Sequence, residues 1–478
     1  MDQHYKKKRY KSLLTDSIAF AISNFASKIL IFLLVPLYTA VLSTNDYGIA
    51  DLITNTVNLL YPILTLSIME ATLRFAFEKD IRKDDVLTNS LFMILAAEII
   101  LICCTPIIKF FFTSIWSYWG WFLVIFGSMN LQQVLSQFVK GVGKTKIYAI
   151  SGIFQTIVIV VSNIIGLLVL KGGLKAYLFS LALSYILTSL FLVIFGKIKI
   201  QKWHIDFSLL KEMLKYSSPM IPTIVSWWVS TSADKYVIIA FLGVATSGIY
   251  SVAYKIPSVL TLLTNIFTSA WTISAIQSVE DEDKASYQSY VYKLFNSANV
   301  LVCAVLIVMS QILGKILFAN EFFEAWHCVP FLLVAYVYAG LSGFLASSFR
   351  AEKNTKGLLG SALVGAIINI ILNLAFVPFL GIRGASITTL IGFAVTFYIR
   401  ERDIKKIISI NIESKKNNIV YVLLFLQSFI MSYEIPGYYI YSSIICIAIL
   451  VIYINTIRDI CKKLISILKM KIRRKTSV

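Results

Sequence analysis

Apolar runs of about 20 residues recur along nearly the whole chain, and that is the length a helix needs to cross roughly 30 Å of hydrocarbon. With 58% of its 478 residues hydrophobic and only 14% charged, the chain has too few polar groups to solvate a globular surface, so its solvent is lipid. The runs are continuously apolar rather than alternating. That pattern excludes a membrane barrel and leaves helices as the way to satisfy the backbone in oil. The fold class is all-α integral membrane.

Fourteen spans fit the pattern: Leu13 to Val41, Tyr47 to Glu70, Val86 to Phe111, Tyr118 to Val139, Ile147 to Leu170, Leu174 to Phe195, Tyr216 to Phe241, Ser247 to Trp271, Tyr290 to Phe318, Glu324 to Phe349, Gly357 to Phe379, Gly384 to Ile399, Asn418 to Tyr433 and Gly437 to Asn455. The basic N-terminus followed by an apolar stretch has the outline of a signal peptide. The stretch continues past Val35 without a small-residue cleavage site, so it reads as a retained first span.

An even number of spans puts both termini on one side, and the basic residues say which. Of 44 Lys and Arg, 35 fall in the tails and loops on the side of the N-terminus. Only Lys171, Lys175 and Arg383 fall opposite, and the other six, Lys28, Lys109, Lys235, Lys255, Lys293 and Lys315, lie inside spans. Short basic loops stay cytoplasmic, so both ends are expected in the cytoplasm of a cell whose inner membrane the chain crosses. The same asymmetry accounts for the net charge of +19 without a nucleic-acid partner.

The chain also repeats itself. Leu42, Gly48 and Ile49 recur as Leu242, Gly248 and Ile249, and Lys140, Thr145, Lys146, Asn163 and Leu170 recur as Arg350, Thr355, Lys356, Asn373 and Leu380. These matches pair spans one to six with seven to twelve in a common orientation, a parallel repeat that in transporters sets the substrate path between two lobes. The expected organisation is an N-terminal lobe (1–196), a connection (197–215), a C-terminal lobe (216–400), a loop (401–417), two further spans (418–456) and a basic tail (457–478).

No hydrolytic or metal pattern stands in the sequence. Its histidines are His4, His204 and His327, and Gly141 to Thr145 lacks the first glycine and the strand of a phosphate loop. The six cysteines, Cys103, Cys104, Cys303, Cys328, Cys446 and Cys461, show no metal-ligand spacing. No cofactor, no metal and no enzyme activity are expected, so transport would be driven by an ion gradient, the membrane potential or the substrate gradient.

Polar residues inside spans carry the functional signal, because an ionisable group at bilayer depth costs several kcal/mol unless it faces protein or water. In span two Asp51, Asn55, Asn58 and Thr65 share a helical face with Pro62. In span eight, 200 residues on, the same face carries Ser251, Lys255, Ser258 and Asn265. Span one adds Ser17, Ala21, Asn24 and Lys28, and span seven adds Thr223, Ser230, Asp234 and Lys235.

These stripes predict a water-filled cavity. Lys28, Lys235 and Lys255 would meet a diphosphate or acidic sugars, and Asn24, Asn55, Asn58 and Asn265 would meet hydroxyls. Against this stands mutual satisfaction, with Asp234 neutralising Lys235, Asp51 pairing with Lys255, and the amides gluing helices. Glu98, midway along apolar span three, is a candidate for ion coupling, as is Asp51; an internally hydrogen-bonded or protonated Glu98 is the alternative. Asn163, Asn369 and Asn373 read as helix-packing contacts, whereas Trp227 and Trp228 leave sugar stacking and lipid contact both open.

Three stretches, VPLYTAVLSTNDYGIAD at Val35 to Asp51, YSSPMIPTIVSWWVSTSADK at Tyr216 to Lys235 and LGVATSGIYSVAYK at Leu242 to Lys255, resemble the multidrug/oligosaccharidyl-lipid/polysaccharide exporter superfamily. Within it they resemble Wzx-type flippases of O-antigen and capsule repeat units. The resemblance implies two lobes of six helices alternating between inward-open and outward-open states around a central cavity. An undecaprenyl-diphosphate-linked oligosaccharide would pass its head through the cavity while its chain stays in lipid. It implies cavity roles for Lys28, Lys235 and Lys255, and a lipid groove at spans thirteen and fourteen as in peptidoglycan-precursor flippases. The expected partners are that substrate, membrane lipid, and a polysaccharide polymerase or glycosyltransferases. A lipid II flippase and a cation-coupled multidrug exporter are the alternatives.

Overall fold

The computed structural model describes residues 29–30, 32–106, 113–200, 203–278, 283–352, 356–456 and 458. Among them every element is helical. In chain order they are α1 (Val35–Val41), α2 (Thr44–Leu64), α3 (Ile68–Ala76), α4 (Lys83–Cys103), α5 (Trp119–Gly141), α6 (Thr145–Asn163), α7 (Gly173–Phe195) and α8 (Phe207–Ser217). There follow α9 (Ile221–Leu242), α10 (Val244–Ala253), α11 (Lys255–Gln277), α12 (Lys284–Leu317), α13 (Val329–Ala351), α14 (Lys356–Ile404), α15 (Ser414–Ser432) and α16 (Tyr438–Ile452). Each of the expected spans two to fourteen coincides with one or two of these helices, while most of the first lies outside the described residues.

Among the described residues eight helices are long and apolar enough to cross a bilayer unaided, or nine if the bent pair α2 and α3 is one span. The bends are local and have identifiable causes. Span two is broken by 62° between α2 and α3. Pro62 removes one backbone donor there, and Leu66 and Ser67 adopt positive φ of 50° and 54°. Span eight is interrupted at Tyr254, between α10 and α11. The expected spans eleven and twelve are the two arms of α14, which reverse at Gly381 (φ 59°, ψ −144°), a conformation that needs glycine.

The chain divides into two compact units, one up to Ser232 with Gly243–Gly248, the other Ala233–Leu242 with Ile249 onward. In the first unit α5 packs against α3, α4 and α7. At the end where α8 meets α3 and α4, Ile68, Phe75, Val86, Val134, Leu209 and Met213 form a continuous apolar core. Thr72 and Ser90 bridge α3 and α4 through their hydroxyls at 2.7 Å, the kind of interhelical bond that holds helices where lipid offers no hydrophobic drive.

The second unit is built on α13, most of which is buried, flanked by α11, α12, α14 and α15. Trp271 stacks on Phe344 at 4.6 Å, and Phe267 stacks on Phe295 at 4.4 Å. The arms of α14 meet through Gly365 and Gly392, each glycine lying against the other's carbonyl. The terminal pair is tied in by buried amides. Gln427 of α15 donates to the carbonyl of Ala304 and to Ser442, and Asn296 of α12 donates to Tyr453 while accepting from Tyr421.

The repeated Leu-Gly-Ile signature has a packing origin. A Cβ on Gly48 would collide with the carbonyl of Val244, and one on Gly248 with the carbonyl of Thr44. The contact is reciprocal at the same 200-residue offset, so the motif marks a close crossing of backbones inside the first unit rather than a ligand site. Overpacking such a contact costs about 1–3 kcal/mol, against less than about 1 kcal/mol gained when alanine replaces a helical glycine. Gly48→Ala and Gly248→Ala should therefore each lower the thermal midpoint in detergent. Gly360→Ala, where nothing lies within 4 Å, should hold or raise it. Equal midpoints for all three would refute the crossing.

Candidate functional site

Each unit carries its own polar cluster at span depth. In the first, Asp51 and Asn55 lie one turn apart on α2. The Asn55 amide donates to Asp51 Oδ2 at 2.8 Å and to the Asp51 carbonyl at 2.8 Å. From α9, Ser232 donates to Asn55 Oδ1 at 3.0 Å, and the Trp228 indole donates to the Asn55 carbonyl at 2.9 Å. Span-seven residues thus complete a cluster begun on span two. Trp228 has a polar anchor here, whereas the neighbouring Trp227 is 63% exposed.

The second cluster centres on Asp234, which is only 3% exposed. Its Oδ2 accepts from Tyr250 at 2.8 Å, from Tyr254 at 2.5 Å and from Thr389 at 3.2 Å, while Oδ1 accepts from the Lys235 backbone N–H at 2.9 Å. Thr389 also accepts from Asn369 at 3.5 Å, and Asn369 in turn accepts from Asn373 through its carbonyl at 2.9 Å. The Lys235 ammonium lies 5.4 Å from the centre of the Tyr254 ring, close enough for a cation–π contact. Four donors converge on this one buried carboxyl group, which orients the side chains around it.

Other positions on the stripes stay accessible within each unit. Asn58 and its repeat counterpart Ser258 are both exposed, and Asn55 and Lys255 are both half-buried. Lys255 opens α11 directly after the break at Tyr254. The correspondence fails at the far end. Thr65 is buried, its hydroxyl donating to the Tyr61 carbonyl at 2.6 Å, while Asn265 is exposed. The first-half helix breaks at Thr65, and the second-half helix continues through Asn265. Asn24 and Lys28 lie outside the described residues.

Glu98 belongs to neither cluster. It sits on α4 facing α5, its Oε2 buried without a hydrogen-bond partner among the described residues and 3.1 Å from where a Cβ on Gly127 would be. Asn163 and Asn373 are buried; Asn163 donates to the carbonyl four residues back, and Asn373 also accepts from Thr388 at 2.8 Å. Asn369, expected as a packing contact only, is joined through Thr389 to Asp234. Tyr250, Tyr254 and Thr389 were not singled out in the sequence. The available signal was their spacing: Tyr250 and Tyr254 are one helical turn apart, 16 and 20 residues after an intramembrane aspartate.

Comparison with known proteins agrees with this architecture. Residues 13–277 match the polysaccharide biosynthesis protein family. A probable low-salt glycan biosynthesis flippase, Agl15, of Haloferax volcanii is 22% identical over 260 residues, covering 52% of this chain and 53% of its own. Among solved structures, a lipid II flippase, MurJ, in an inward closed conformation superposes with a TM-score of 0.70 at 18% identity, covering 93% of this chain and all of its own. An inward-facing multidrug resistance transporter of the MATE family and MOP superfamily does so with 0.67 at 17% identity, covering 81% and 98%. The chain belongs to the polysaccharide biosynthesis protein family, as a multi-pass membrane protein with the fold of the multidrug/oligosaccharidyl-lipid/polysaccharide superfamily.

Proposed function

We propose that this protein is a flippase that carries an undecaprenyl-diphosphate-linked oligosaccharide from the cytoplasmic to the outer leaflet of the cytoplasmic membrane, with both termini cytoplasmic. The observation that carries this reading is the paired accessibility of the polar stripe: Asn58 with Ser258, and Asn55 with Lys255, equivalent positions on repeat-related helices. Polar side chains at bilayer depth are costly unless water or a polar ligand reaches them. A glycan head offers hydroxyls to the amides, and its diphosphate offers charge to Lys235 and Lys255. Family membership and the glycan flippase Agl15 support the same substrate class.

In this reading the two clusters divide the work. Asp234, Tyr250, Tyr254 and Thr389 fix the helix that carries Lys235, while Asp51 and Asn55 are placed by Ser232 and Trp228. Asn58, Lys235, Lys255 and Asn265 are the groups proposed to meet the head. The same role is proposed for Lys28 and Asn24 from the sequence alone. The polysaccharide polymerase and glycosyltransferases are the partners that would consume and supply such a substrate.

Cysteines placed singly in a cysteine-free background give the test. A membrane-impermeant maleimide should label Asn58→Cys, Ser258→Cys and Asn265→Cys, and a lipid-linked oligosaccharide should protect them. Val57→Cys and Leu260→Cys, both buried, should stay unlabelled. Labelling of none of the five would remove the basis for a wet path. For the driving force, Glu98→Gln should abolish stimulation of transport by a pH gradient while leaving downhill exchange intact. Unchanged stimulation would eliminate Glu98, and the same measurement on Asp51→Asn would address the other candidate.

A further inference from the structure

The connection that precedes α9 is fixed to the first unit from several sides. Buried Asn89 grips Asp206 reciprocally: its amide donates to the Asp206 carbonyl at 3.0 Å, and the Asp206 N–H donates back to Oδ1 at 3.1 Å. Thr88 donates to the carbonyl of His204 at 2.6 Å. Asp206 also caps α8, accepting from the N–H groups of Ser208 and Leu209. Leu209, Leu210 and Met213 enter the apolar core, and Ser217 donates to the Leu66 carbonyl, at the break in span two, at 2.8 Å.

What this docking leaves outward is unusual for an aqueous loop. Trp203 is 56% and Phe207 68% exposed, in a segment that also exposes Lys197, Lys199, Lys211 and Lys215 and the acidic Glu212. Phe207 and Lys211 follow each other by one helical turn on the same face. Depth comes from a separate contact. The Phe207 ring lies 6.3 Å from that of Phe92, edge to face, and Phe92 stands nine residues inside α4, about 13 Å along the helix. The first turns of α4, Lys83 to Ser90, are largely polar, so Phe92 stands at the start of its apolar stretch and Phe207 is level with that end. Just before the connection, Ile194 and Phe195 of α7 are exposed in the same way.

Aromatics level with the end of apolar helices, with lysines beside them, match the boundary between acyl chains and anionic headgroups. We propose that residues 197–200 and 203–217 form a docking surface for anionic lipid of the leaflet on the basic side. Through Ser217 and Leu66 that surface is mechanically joined to the break in span two, so the charge of the leaflet tunes transport. This holds whatever the cargo is.

The test uses the full chain, cysteine-free except for Trp203→Cys carrying an environment-sensitive fluorophore, in vesicles of phosphatidylcholine with increasing phosphatidylglycerol. Lipids brominated near the headgroup should quench the probe, more strongly as phosphatidylglycerol rises. Lys211→Gln and Lys215→Gln should each weaken the apparent affinity for phosphatidylglycerol about fivefold. Lys211→Arg should keep it, which separates charge from folding. A probe quenched only by aqueous iodide, or a response indifferent to phosphatidylglycerol and to both glutamine variants, would overturn the proposal. Protection of the probe by an added soluble protein without lipid quenching would overturn it as well.

Discussion

In a hydrocarbon solvent, every polar side chain that enters a span must be satisfied by the chain itself or by something that visits it, and that requirement sorts the residues of this protein. Asp234 is satisfied by three hydroxyls and a backbone N–H. The Asn296 amide donates to Tyr453, that of Gln427 donates to the Ala304 carbonyl, and Asn373 accepts from Thr388 on the other arm of α14. Such groups hold α9, α12, α14 and α15 in register where lipid cannot drive helices together. The stripe residues that remain exposed on α2 and α11 stand out against this background, and the functional reading rests on them.

The internal repeat expresses itself twice, through different physics. At Gly48 and Gly248 it is a steric device, a crossing too tight for any side chain. At Asn55 and Lys255, and at Asn58 and Ser258, it conserves position while changing chemistry from amide to ammonium or hydroxyl. A carrier of a charged, hydroxyl-rich head has use for both: a scaffold common to the halves, and walls that differ between them.

The helical, membrane-crossing architecture was legible in the sequence because span length is a crude, summed signal that survives local irregularity. Breaks were harder to read. Pro62 hinted at the bend in span two, yet nothing in Leu66 or Ser67 announces a positive φ, and Tyr254 is an ordinary helix residue at which span eight is interrupted. The stripe was read from helical phase, which continues across a break on paper but not in space. That explains why Thr65 is buried while Asn265 is exposed. The Asp234 cluster was half visible: the aspartate is conspicuous, whereas tyrosine and threonine sit comfortably in apolar helices and reveal their partner only once the fold brings residues 234, 250, 254 and 389 together.

The most direct measurement of the central claim is transbilayer movement itself. Purified protein in proteoliposomes would be given a fluorescent polyprenyl-diphosphate-linked oligosaccharide, and its appearance on the opposite leaflet would be followed by an impermeant quencher. The account predicts movement that depends on the protein and is lost in Lys235→Gln and Lys255→Gln variants that remain folded. Movement indifferent to both lysines, or export of cationic dyes with no movement of the lipid-linked glycan, would contradict it.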